Sequence, residues 1–250
     1  MQNVTTVVLL SLFNLLNCAY DPLNHPAFRF SETIPELIPF IESTNFDVAS
    51  TAKFTLSFLH QQLDCDQLLA LKLTDKEAEY CVTTLARAID SPNFKANGFA
   101  VHELLKILTN LTHSYSAMKK FVEVQSAGGR KQNRPEEHTC TCSSFDQQML
   151  KTADELEKNS QKLMSHDLLS VILRAFRVEK FQEAAAKLLL NLVHHQPVVE
   201  SDFSAMIEIL KSLCESPFHV DHQLAAHCCL WQLRAVERGT YTYMLYARIL

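Results

Sequence analysis

Only four of the 250 residues are glycine, where average usage would give about 17. All-β sandwiches and barrels need glycine and proline at their hairpins, and α/β nucleotide folds need glycine loops. So little glycine directs the chain toward helices. The apolar spacing agrees. Ile34, Leu37, Ile38 and Ile41 recur at helical intervals, as do Val101, Leu104, Leu105, Leu108 and Leu111, and again Leu168, Leu169, Ile172, Leu173 and Phe176. No stretch alternates with a period of two over five or more residues between turns. Ser91-Pro92-Asn93, Gln196-Pro197 and Ser216-Pro217 separate apolar helices, because proline cannot continue a helix. Asp47, Asp75, Ser165 and Asp202 precede helical runs and are expected to cap them.

Charge narrows the function classes. A net charge of −5 is small for a general nucleic-acid binder, and 47% hydrophobic content is too high for intrinsic disorder. Neither nucleic acid nor membrane is an expected partner. The apolar run Val4–Leu16 is too short to span a bilayer and lacks the basic flank of a signal peptide. Two glycosylation sequons begin at Asn3 and Asn110, but the second lies in an apolar helical run. The eight cysteines lie mostly in or beside apolar helical runs, without the spacing of a disulfide scaffold. A reducing, cytoplasmic compartment follows.

Five apolar segments resemble one another. Aligned on Asn14, Phe58, Asn110, Asn191 and Gln232, they are offset by 44, 52, 81 and 41 residues. The offset of 81 is close to two units, and it contains a weaker helix at Met149–Leu163. Before most segments lies a second helix: Thr33–Ile41, Glu77–Ile89, Leu168–Phe176 and Phe203–Leu213. A period of about 40–47 residues with two or three helices is the armadillo/HEAT range. Such units cannot bury their own apolar faces, and stacking gives them a shared core. The expected fold is an all-α, right-handed α-solenoid of five to six such repeats, favoured over a plain helix bundle. Residues 1–250 then form a single solenoid, expected to be truncated at both ends. The polar stretch 125–145 reads as a mobile insertion in it.

The third helices resemble those of armadillo repeats, with the endings Leu108-Thr109-Asn110-Leu111 and Leu190-Asn191-Leu192. Over Leu71–Val122 the chain resembles the armadillo region of invertebrate armadillo/TIR-type multidomain signalling proteins. That resemblance implies a signalling or innate-immunity adaptor. Nothing after Gln232 reads as TIR-like strands, so no TIR chemistry is assigned to this chain.

Two units share a further pattern. Lys106, Asn110 and His113 stand at −4, 0 and +3, and so do Lys187, Asn191 and His194. On a helix these offsets share a face. In armadillo proteins the third-helix asparagine lines a concave groove and binds an extended peptide backbone. An amide offers that backbone both a donor and an acceptor. The tryptophan such proteins carry four residues earlier is here Leu10, Lys106, Lys187 or Cys228. Lysine there shifts the expected ligand toward an acidic peptide. The expected function is a non-enzymatic protein-binding scaffold without a cofactor, with self-association through exposed end repeats. The alternative is a small-ligand-sensing armadillo module restraining a TIR-type effector, for which Lys106, Arg174 or Lys187 would line a basic pocket.

Other chemistry is weakly signalled. His138-Thr139-Cys140-Thr141-Cys142 lacks the second pair of a zinc site. His219, His222, His227, Cys228 and Cys229 fit a core reading better than a metal site, and Trp231 is expected in an inter-repeat core. No Walker, dinucleotide or Gly-x-Ser-x-Gly motif occurs.

Overall fold

The computed structural model describes residues 2–113, 142–195 and 211. The insertion at 125–145 lies outside them, apart from the backbone of the helix beginning at Cys142. Phe203–Leu213, Trp231, Cys140 and the cluster at 219–229 also lie outside, save the backbone and exposure of Lys211.

The fold is all-α, as the apolar spacing predicts. Its α-helices are α1 (Gln2–Tyr20), α2 (His25–Phe30), α3 (Thr33–Ile41), α4 (Phe46–Phe58) and α5 (Cys65–Leu69). They continue with α6 (Asp75–Asp90), α7 (Val101–Leu111), α8 (Cys142–Ser165), α9 (Leu168–Phe176) and α10 (Gln182–His195). Helices α3 and α9 have the bounds their apolar spacing predicts, and α8 contains the expected Met149–Leu163. The chain divides into two compact units. The first comprises Met1–Cys81 and Ile107–His166, the second Val82–Lys106 and Asp167–Leu250. The division falls within α6 and α7.

In the first unit α4 packs against α1 and α3, and α5 against α8. Every residue of α4 from Val48 to Phe58 is buried. Leu12, Leu16 and Ala19 of α1 and Ile34 and Leu37 of α3 cover it. Aromatic edges finish the core: Tyr20 meets Phe58 at 5.4 Å and Phe46 meets Tyr80 at 5.2 Å, both T-shaped.

In the second unit α9 and α10 form a sequence-adjacent pair, joined by a 3-10 turn at Glu179–Phe181. Phe181 packs edge-on to Phe94 at 5.2 Å, with the Lys180 ammonium 3.8 Å from the Phe94 ring centre. A small antiparallel ladder precedes α7, pairing Lys95 with Ala100 and Ala96 with Phe99. Asn97 and Gly98 turn it with φ of 52° and 86°. These are the positive values a tight hairpin needs. The ladder is too short to show as an alternating run, but Asn97-Gly98 was a readable signal for it.

Two of the expected caps are corrected by one or two residues. Asn45, rather than Asp47, caps α4, accepting from the amides of Asp47 and Val48 at 3.0 and 3.2 Å. At α6 the capping pair is Thr74 with Glu77, rather than Asp75. Thr74 Oγ1 accepts from the Glu77 amide at 3.2 Å, while Glu77 Oε2 accepts from the Thr74 amide at 2.7 Å. Ser165 caps nothing: it ends α8, and Asp167, the residue before α9, makes no side-chain cap. A preceding residue with extended backbone aims its oxygen at the first free amides, whereas an acid inside the first turn cannot.

Candidate functional site

Lys106 and Asn110 lie half-buried on α7. The helix stops at Leu111, so His113 leaves the helical register and its amide donates to the Asn110 carbonyl at 3.2 Å. The Thr112 hydroxyl donates back to the Leu108 carbonyl at 2.7 Å. That threonine is buried, which leaves the sequon at Asn110 with a structural role for its hydroxyl. On α10, Lys187 is exposed and pairs with Glu183 one turn earlier, and Asn191 is half-buried. The backbone of His194 is helical, and its side chain lies outside the described residues. Asn110 and His113 belong to the first unit; Lys106, Lys187, Asn191 and His194 belong to the second. At the positions aligned with these asparagines, Asn14 is exposed and Phe58 is buried.

His113 has a neighbour the sequence did not suggest. The residue is exposed, yet its ring lies 5.1 Å from that of His60, just after α4. His60 Nδ1 faces the Ser57 carbonyl at 3.0 Å. Burial first, and then the nearby His113 and His25, lower the His60 pKa to about 4 against the opposing Ser57 carbonyl. Desolvation also lowers the pKa of His113. At neutral pH the pair is an uncharged, packed contact.

Arg174, the other candidate basic residue, is engaged within its own unit. Its guanidinium donates to the Ala86 carbonyl at 3.3 Å and pairs with Asp90.

The strongest polar constellation is buried in the first unit. Lys53, on the all-buried face of α4, pairs with Glu77 at 2.6 Å, both side chains under 10% exposed. Lys53 Nζ also donates to the Lys72 carbonyl at 2.8 Å. From α8, Asn159 Nδ2 donates to the carbonyls of Leu71 and Leu111, each at 3.0 Å, and Oδ1 accepts from the Leu73 amide at 2.8 Å. Lys162 Nζ donates to the Leu73 carbonyl at 2.6 Å. Three side chains from two helices thus hold the turn at 71–73 that leads into α6. Cys81 lies beside this cluster. Its thiol pKa is raised by burial first and by Glu77 second, with Lys53 opposing. It is therefore a packed thiol, not a nucleophile at neutral pH.

Each of these groups reaches a partner in the fold, so the cluster holds structure and offers nothing to a substrate. Sequence reasoning missed it because Lys53 stands in an apolar run and Asn159 in a charged one. Among the described residues, no group of three His, Cys, Asp or Glu side chains is placed to hold a metal ion.

No family model matches the chain, and no curated protein matches it. Among solved structures, the chain is similar to a crystal structure of an engineered protein, at 15% identity and a TM-score of 0.41 over 91% of this chain and 90% of that one. It is also similar to a designed armadillo repeat protein, at 14% identity and a TM-score of 0.39 over 90% and 92%.

Proposed function

We propose that the chain is a non-enzymatic protein-binding scaffold of armadillo-like repeats. It docks an extended, partly acidic segment on its third-helix surfaces. The observation that carries this reading is the division of polar groups. The buried ones, Lys53, Glu77 and Asn159, are engaged in holding the fold. The half-buried and exposed ones on α7 and α10 include the amides Asn110 and Asn191 and the cations Lys106 and Lys187. The recurrence of Lys–Asn–His in two repeats supports the same reading. The resemblance over Leu71–Val122 supports a place in an intracellular signalling or innate-immunity adaptor. Free thiols at Cys18, Cys65 and Cys81 are consistent with a reducing compartment. The small-ligand alternative has less support, because Arg174 is already held by the Ala86 carbonyl and Asp90 within its own unit.

The test is selection from a displayed library of extended peptides, followed by anisotropy on the enriched sequences. Enriched peptides should be acidic. Asn110→Ala with Asn191→Ala should weaken them at least about tenfold, the effect of losing two backbone-directed amides, with helicity and melting temperature unchanged. Enrichment of basic peptides, or equal binding by the double variant, would contradict the proposal.

A further inference from the structure

Within the first unit, three histidines follow the C-terminal ends of three helices: His25 after α1, His60 after α4 and His113 after α7. Each meets a carbonyl of the last turn before it. His25 Nε2 lies 2.8 Å from the Ala19 carbonyl, and His60 Nδ1 lies 3.0 Å from that of Ser57. His113 does the same through its backbone amide, 3.2 Å from the Asn110 carbonyl. A carbonyl only accepts, so the facing nitrogens of His25 and His60 carry the ring proton. The rings of His60 and His113 stand 5.1 Å apart, tilted by 46°. His60 is half-buried and His113 exposed. The groups that act on His60 are His113, His25 and the Ser57 carbonyl; among the described residues no carboxylate does.

We propose that this row of histidines is an acid-sensitive switch, in which protonation parts His60 from His113 and loosens the ends of α4 and α7 while both helices stay folded. A second proton on His60 makes an imidazolium beside two other imidazoles, with no acid to receive it. Such a charge is costly while the ring is packed and is readily solvated once the ring leaves. Burial, then His113 and His25, hold the His60 pKa at about 4, and burial lowers that of His113 too. In the parted state the His60 ring is in water, where its pKa is 6.5. Between those values the parted state binds more protons, so acid favours it, and above about pH 6.5 the closed pair keeps its full advantage. From the two values the parting equilibrium rises about 60-fold from pH 7 to pH 4.5. The same linkage acts on global unfolding. Parting gives up only the contacts of two helix ends, so it starts from the smaller cost. Asn110 stands in the turn that loosens. Acid therefore also disturbs the surface proposed to bind peptide, a consequence that rests on that proposal, while the parting itself does not.

Hydrogen exchange of the full chain at pH 7 and pH 4.5, corrected for the intrinsic rates of free peptides, tests this. The reporters are the amides of Gln62 and Leu63, bonded to the Leu59 and His60 carbonyls, and that of His113, bonded to Asn110. Their protection should fall about 60-fold in acid, the change in the parting equilibrium. A low urea concentration should leave their exchange unchanged, because parting exposes little surface, while it speeds exchange of the α4 amides from Val48 to Phe58. His60→Asn, which can still donate to the Ser57 carbonyl, should remove the acid effect at all three reporters. Reporter protection that does not change with pH would overturn the proposal. So would protection lost only in step with the α4 amides and with their urea dependence, which is global unfolding, or an acid loss that persists in His60→Asn. Should that variant fail to fold, the pH and urea comparison in the native chain decides alone.

Discussion

Helices α1 and α4 pack against each other and look alike in sequence, each a run of small and apolar residues with scattered hydroxyls. Their fates differ. Helix α4 is buried on every side and contains a lysine, whereas α1 is uncharged and leaves three large apolar side chains in solvent. The lysine is tolerated because Glu77 and the Lys72 carbonyl receive it. The exposed strip of α1 has no such resolution inside its own unit. The pair shows that a charge in an apolar run does not mark a surface, and that freedom from charge does not mark a core. What decides is the set of groups brought up by the neighbouring elements.

The largest expected effect falls on α4. Lys53→Met leaves Glu77 buried with one oxygen uncompensated and should destabilise the protein by about 3–5 kcal/mol. Adding Glu77→Gln should recover much of that, since the amide still accepts from Thr74 and no charge remains. On α1, Leu10→Gln should change stability by no more than about 0.5 kcal/mol, since Leu10 is largely exposed. Chemical denaturation of the four proteins measures all of this. Equal losses at Lys53 and Leu10 would erase the distinction between the helices.

A smaller effect sharpens the contrast at the end of α4. Folding lowers the His60 pKa to about 4 from the ordinary histidine value of 6.5. Between those values the unfolded chain binds more protons, so stability rises with pH there. It is complete above about pH 6.5 and is lost as pH falls toward 4, by about 2–3 kcal/mol. The groups facing His60 are His113, His25 and the Ser57 carbonyl, and α1 contributes no carboxylate or imidazole. His60→Asn, which can still donate to Ser57, should flatten the profile between pH 4 and 6.5. An unchanged profile would show that another group governs it.

Much of the fold was legible because helices report their buried faces locally. The spacing of Ile34 and Leu37, or of Leu168 and Phe176, is visible within one or two turns. The cap residues were harder, since Asn45 and Asp47, or Thr74 and Asp75, differ only in backbone conformation at the helix start. The buried cluster was not legible at all. Lys53 and Glu77 are far apart in sequence, and Asn159 meets Leu71 and Leu73 across more than 80 residues. Nothing near Asn159 distinguishes an amide that clamps a turn from one that faces water. Of the candidate stripe, the sequence placed Lys106 and Asn110 on one helix and Lys187, Asn191 and His194 on another. It missed the end of α7 at Leu111, where the His113 amide shifts to the Asn110 carbonyl.

The contrast between the two helices is tested most directly by hydrogen exchange of α1 and α4 amides in the same sample. The account predicts that the α4 amides from Val48 to Phe58 exchange only on global unfolding, while α1 amides between Val4 and Leu10 exchange faster than they do. Equal protection of the two helices would contradict it.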